Sequence, residues 1–225
     1  MKKTLFTTVV IFLFISFVSA QSTRYGFSFG ATYANMTEKT GGTTTNGSYK
    51  FGATFGIVVD VPMQKGGSFQ TGVNFTQKGT KDQASFLGAS GTVTNVLNYI
   101  EVPMNVVFKF KSSGGKFLAG AGISGSLGFF GKSTNTKNGI ETVSYLNFGN
   151  NSGDNLKGID FGINGLVGYE FKNNWSVAAG YYRGIINVIS GGTAIDKLTN
   201  NFFSLRFGYF LKEKMSKGKK PKGKK

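Results

Sequence analysis

Apolar and polar residues alternate with a period of two along most of the chain. From 158 to 172, Ile159, Phe161, Ile163, Val167, Tyr169 and Phe171 share one parity, while Asp160, Asn164 and Glu170 sit among glycines on the other. A strand sends successive side chains to opposite faces, so this segment has one greasy face and one small or polar face. The split recurs. Tyr49, Phe51, Ala53, Phe55, Ile57, Val59 and Val61 oppose Lys50, Gly52, Thr54, Gly56, Val58 and Asp60. Ile100, Val102, Met104, Val106, Phe108 and Phe110 oppose Tyr99, Glu101, Asn105 and Lys109, and Phe203, Leu205, Phe207, Tyr209 and Leu211 oppose Ser204, Arg206 and Gly208. Eight such segments are predicted as strands, at 23–34, 49–62, 67–79, 97–111, 115–130, 158–172, 174–187 and 201–211.

The connections between them alternate in length. Those near 63–67, 111–115 and 172–174 are tight, whereas 35–48, 80–96, 131–157 and 188–200 are long and rich in Gly, Thr, Asn and Ser. Short turns at one end and long loops at the other are the pattern of an up-and-down outer-membrane barrel, with both termini periplasmic when the strand number is even. A Greek-key sandwich predicts no such alternation. A tilted membrane strand needs about 9–11 residues, and most of the eight reach that. The face opposite the aromatics is mostly Gly, Ser, Thr and Asn with charges of both signs, which suits a lumen better than a fully solvated exterior. The expected fold is therefore all-β: an eight-stranded antiparallel transmembrane barrel, greasy side to lipid and polar side inward.

Composition sharpens this. "MKKTLFTTVVIFLFISFVSAQ" has two lysines, an apolar run and small residues before Gln21, the pattern of an export signal over 1–20. The barrel then occupies 21–211. The chain contains no Cys and no His. Disulfides, most metal-ligand sets, thiol nucleophiles and the usual general base are all missing, so no catalytic, cofactor or metal site is expected, and the chain is not read as an enzyme. "GAGISG" at 120–125 has the spacing of a dinucleotide fingerprint but is followed by "SLGFFG", with no helical period to receive a pyrophosphate.

An eight-stranded barrel is narrow enough for inward side chains to fill it. The inward charges expected from parity are Arg24, Lys50, Asp60, Lys78, Glu101, Lys109, Lys116, Asp160, Glu170 and Arg206. Buried charges are costly unless paired, so these predict an ion-pair network that plugs the lumen, or alternatively a path for protons or small ions. Arg183 falls on the greasy face near a rim, where it can snorkel. Trp175, Tyr25, Tyr49, Tyr169, Tyr181 and Tyr209 are candidates for aromatic girdles at the membrane interfaces.

The last segment, "KEKMSKGKKPKGKK" at 212–225, carries eight Lys and one Glu. Such a run does not fold alone. It reads as a disordered periplasmic tail, with adhesion to an anionic lipid surface or envelope partner as its functional reading. An exported chain makes a nucleic-acid partner a poor reading of this charge. The expected partners are outer-membrane lipid and, for the tail, an anionic envelope component, with the barrel itself a monomer.

Three stretches, "YIEVPMNVVFKF" at 99–110, "FQTGVNFTQKG" at 69–79 and "NNFFSLRFGYF" at 200–210, give the chain its resemblance to the PorT-like, or porin-family, outer-membrane barrels of Bacteroidota. That resemblance implies fold and location more than activity, because function belongs to loops and sites. The functional expectation is a structural or interaction protein of the envelope acting through its outer loops. A narrow pore, an accessory part of a type IX-like secretion machine and a soluble ligand-binding barrel are the alternatives.

Overall fold

The computed structural model describes residues 23–83, 91–151, 153–190 and 196–211. The expected signal (1–20) and basic tail (212–225) lie outside the described residues. Ten strands run in chain order: β1 (Arg24–Thr40), β2 (Thr43–Asn46), β3 (Lys50–Pro62), β4 (Gly67–Gln83), β5 (Thr92–Ser112), β6 (Gly115–Lys137), β7 (Ile140–Leu146), β8 (Ile159–Phe171), β9 (Trp175–Gly184) and β10 (Lys197–Phe210). Eight of them make a ring in the order β1-β3-β4-β5-β6-β8-β9-β10, every neighbour antiparallel. The seam closes between β10 and β1 from Gly26↔Phe210 to Lys39↔Lys197. Closure leaves the ring without an open edge, which a sheet in hydrocarbon requires. Among the described residues no helix is long and apolar enough to cross a membrane.

Successive ring strands are joined by three tight turns at one end, here the turn end. One contains a short 3-10 turn, Gln64–Gly66. At the opposite, loop end the strands run further than the alternation predicts. β1 continues to Thr40 rather than 34, β4 to Gln83 rather than 79 and β6 to Lys137 rather than 130, while β5 begins at Thr92 and β10 at Lys197. The reason is chemical. Beyond the apolar belt the outward positions become Thr92, Thr94, Thr134 and Thr136, so the greasy parity stops while the hydrogen-bonded ladder continues. β9 instead ends early, at Gly184 rather than 187.

β2 and β7 are not in the predicted set. Each folds back on a ring strand through a two-residue hairpin: Gly41 (φ +57°) and Gly42 (φ +90°) turn β1 into β2, and Asn138 (φ +52°) and Gly139 (φ +79°) turn β6 into β7. Positive φ at both central residues is the mirror-image turn whose twist matches antiparallel strands, and Gly-Gly and Asn-Gly are its preferred dipeptides. The extended strands with β2 and β7 form a collar above the belt.

The two zones of the wall are built oppositely. In the belt the outward side chains are large, apolar and exposed, as at Phe27, Phe55, Val167 and Phe51, the last 76% exposed. Inward positions there, Thr54, Asn74, Thr76, Asn105 and Ser126, are polar and buried. In the collar an apolar cluster joins the inward positions, beside polar ones such as Thr80 and Asn95 that are also buried. Met36, Leu97 and Leu198 meet Leu146, Leu156 and Val188 over the ring of Tyr99, with Phe148 and Ile189 packed against them. At the boundary, β5 pairs Asn98 with Phe130 and Tyr99 with Gly128, leaving Phe129 as a bulge. The extra residue lets Phe129 and Phe130 both face outward.

Candidate functional site

The lumen gathers the chemistry of this molecule. Near the turn end, β1 supplies Arg24, β3 Asp60, β5 Lys109, β6 Lys116 and β8 Glu170. Arg24 Nη1 donates to Glu170 Oε1 at 2.7 Å, and Nη2 donates to both Asp60 Oδ2 at 2.7 Å and Glu170 Oε2 at 2.8 Å. The planar guanidinium suits this double fork, since its donors meet two carboxylates without distortion. Lys109 Nζ donates to Asp60 Oδ2 at 2.5 Å, Gln70 Nε2 donates to Asp60 Oδ1 at 3.0 Å, and Lys116 Nζ stands 3.7 Å from Glu170. Arg24 also lies 4.4 Å above the ring of Phe210. One arginine thus ties β1, β3, β8 and β10 together across the bore.

A second network lies higher. Lys78 is fully buried, its ammonium 3.0 Å from Asp160 Oδ2, 3.5 Å from Glu101 Oε2 and 3.0 Å from Ser126 Oγ. The rings of Tyr182, Tyr99 and Phe202 surround it at 4.2, 4.7 and 5.5 Å. Burying an ammonium is costly unless it is paired, and this site offers it both carboxylates and ring faces. Asn200 Nδ2 completes it, donating to Asp160 Oδ2 at 3.0 Å. Between the networks lies a cavity of about 80 Å³ whose lining includes Ser28, Asn74, Asn105, Ser204 and Arg206. Above the second network the apolar cap of Leu97, Leu146, Leu156, Val188 and Leu198 fills the bore.

Eight of the ten inward charges expected from sequence come together in these two networks, where one was expected. The other two stand apart. Lys50 donates to the carbonyl of Phe51 at 3.0 Å and has no carboxylate partner among the described residues. Arg206 makes no ion pair among them and faces the cavity. Strand parity does not reach two members of the apolar cap, Leu156 and Val188, which lie outside the strands. Its inward strand residues, Met36, Leu97 and Leu198, sit on the polar parity and were a readable signal.

The sequence profile of a family described as "Outer membrane protein beta-barrel domain" matches residues 19–190, well over half of the chain. The chain belongs to this family. Its location is accordingly the outer membrane. Among solved structures, the chain is similar to Ail, the attachment invasion locus protein of Yersinia pestis, at 13% identity and a TM-score of 0.43, over 85% of this chain and 100% of that one. It is also similar to Neisserial surface protein A at 12% identity and a TM-score of 0.42, over 81% and 96%. The outer membrane protein OprG of Pseudomonas aeruginosa is similar at 12% identity and a TM-score of 0.42, over 85% and 95%. Likenesses of this size carry nothing about ligands or partners. No curated protein gives a significant match.

As an outer-membrane barrel, the molecule presents its apolar belt to lipid, and aromatic residues gather at both ends of that belt. At the turn end Trp175 lies 5.2 Å from Tyr209, and Tyr169 packs 4.9 Å from both Phe117 and Phe171, with Tyr25 exposed beside the seam. At the loop end Tyr49 stacks 4.6 Å from Tyr33, and Tyr181 lies 4.7 Å from Phe203. Tyr33 and Tyr145, both outward and exposed, join this second set and were not foreseen. Arg183 is exposed on the outward face of β9, one residue from its end.

Proposed function

We propose that this barrel is a closed envelope protein that serves a structural or interaction role through its loop-end collar, and is neither a conducting pore nor an enzyme. The observation that carries this reading is the stack of three barriers in one narrow bore: the Arg24–Asp60–Glu170–Lys109 cluster, the Lys78 cage and the apolar cap. An ion would have to displace paired charges twice and then cross a dry plug, and hydrophobic constrictions exclude ions by dewetting. Absence of His and Cys throughout the chain supports the non-enzymatic side of the proposal. In this reading the termini and the three short turns face the periplasm, the barrel is a monomer, and the Lys-rich 212–225 segment engages an anionic surface there. The stretches at 69–79, 99–110 and 200–210 support placing it among the PorT-like barrels of Bacteroidota.

A second reading, a narrow pore for small ions, draws on the central cavity and its unpaired Arg206. Single-channel recording of refolded protein in a planar bilayer separates the two. The closed reading expects a silent bilayer for the wild type and for Glu101→Gln and Asp160→Asn. Discrete steps in the wild type, altered by those substitutions, would replace it with the pore.

A further inference from the structure

The turn end of the barrel presents one sign of charge. Lys65 lies in the turn from β3 to β4, Lys111 at the end of β5 and Lys172 just after β8, so each tight turn carries an exposed lysine. None of the three has a carboxylate partner among the described residues. Backbone contacts set these turns side by side: Lys172 N–H donates to the carbonyl of Gly114 at 3.3 Å, and a Cβ on Gly66 would lie 3.5 Å from the carbonyl oxygen of Lys109. The acidic side chains of this end, Asp60 and Glu170, are buried and already held by Arg24. The collar differs, since it carries both signs, with Glu38 and Asp82 beside Lys39 and Lys81.

Two observations say what this face meets. First, two of its cations oppose each other: Lys111 pairs with Lys116 across the β5–β6 hairpin. Lys116 has Glu170 at 3.7 Å, but Arg24 already donates to both oxygens of that carboxylate. Like charges directly opposite destabilise a sheet, and an anion above the pair would remove that cost. Second, the lysines begin where the apolar belt stops. Phe110, Phe117 and Phe171, all outward and exposed, are the sequence neighbours of Lys111, Lys116 and Lys172. A strand rises about 3.3 Å per residue, so these cations stand just beyond the edge of the hydrocarbon. That is the level of lipid phosphates, and Trp175 and Tyr209 mark it on the same end. Leu211 N–H donates to the carbonyl of Tyr25 at 2.8 Å, so the segment 212–225, with its eight lysines, leaves from this end too.

We propose that the turn end gathers phospholipids of net negative charge from the leaflet around it, Lys65, Lys111, Lys116 and Lys172 binding their head-group phosphates. The proposal rests on the anionic-surface reading of 212–225 only for the share of that segment; the turn lysines carry the rest. It stands whether or not the bore conducts.

The test uses the full chain in bilayers with equal amounts of phosphatidylglycerol and phosphatidylcholine, and native mass spectrometry of the released barrel reads which lipid stays bound. Wild-type protein should retain phosphatidylglycerol in excess. Combining Lys65→Gln, Lys111→Gln and Lys172→Gln should lower the bound ratio by about five-fold or more, the factor one lysine contributes near an anionic surface. A chain whose eight lysines in 212–225 are all changed to Gln should keep a preference that high salt weakens. An undiminished ratio in the triple variant would overturn the proposal, and its loss in the 212–225 variant alone would leave the reading of that segment standing. Equal retention of the two lipids by the wild type would also overturn it, and binding of soluble anionic cell-wall fragments in that case would assign the face to a polymer instead.

Discussion

The belt and the collar are made from the same strands, yet their side-chain logic is inverted. In the belt Phe27, Phe55 and Val167 face out and Asn74, Lys78 and Glu101 face in; in the collar Thr94, Thr134 and Thr136 face out while Met36, Leu97 and Leu198 face in. The ladders β1–β10 and β4–β5 run through the border without a change of partner, while β6 bulges at Phe129 and exchanges β8 for β7 there. The reversal therefore reports a change of solvent. Lipid outside demands an apolar exterior and forces polar groups into paired clusters within the bore. Water outside restores the ordinary arrangement, with an apolar core inside. The apolar cap is what lets one continuous wall serve both media, because it ends the polar lumen where the lipid ends.

Breaking the belt's interior should have the largest effect. Lys78→Met leaves Asp160 and Glu101 buried without their cation, and removal of one partner from such a cluster costs about 3–5 kcal/mol. Urea unfolding of the micelle-bound barrel should show that loss, while the double change Lys78→Met with Asp160→Asn recovers part of it. The collar's interior should respond as a soluble core does. Leu97→Ala opens a hole in the cap and is expected to cost about 2–5 kcal/mol by the same measurement.

The outward faces provide the sharper contrast. Phe55→Arg places a charge in mid-belt and should destabilise the inserted barrel by about 2–4 kcal/mol. Thr134→Arg, on the same face of the wall but in the collar, should change stability by no more than about 0.5 kcal/mol. Equal costs at the two positions would remove the distinction between the zones. A smaller effect is expected at the collar's turn chemistry. Gly139→Ala keeps ample space around the new methyl but holds an L-residue at φ +79°, at a cost of about 1 kcal/mol. Amide exchange should then quicken in β7 and stay slow in β8.

Those zones also decide what the sequence discloses. Parity names the belt strands because lipid imposes a strong alternation, and it names the inward charges for the same reason. Which charges meet depends on strand tilt and stagger, so Arg24 reaching Glu170 across 146 positions, and Arg206 reaching no partner, follow only from the closed ring. In the collar, outward Thr and inward Leu give a weaker alternation of the opposite phase, and the strands therefore look like loops. Two signals were nonetheless present there, Gly41-Gly42 and Asn138-Gly139, each the turn dipeptide of a tight hairpin. Leu156 and Val188 gave no such sign, because they reach the cap from irregular segments.

Since the chain contains no cysteine, single thiols can be placed at will. The most direct test of the two-zone account is the labelling of single-cysteine variants in liposomes by a charged, membrane-impermeant maleimide, at Phe29, Phe55 and Val167 in the belt and at Thr94, Thr134 and Thr136 in the collar. The account predicts rapid labelling of the three collar thiols and none of the three belt thiols until the bilayer is dissolved and the protein unfolded. Labelled belt thiols in intact liposomes, or collar thiols as protected as the belt, would contradict it.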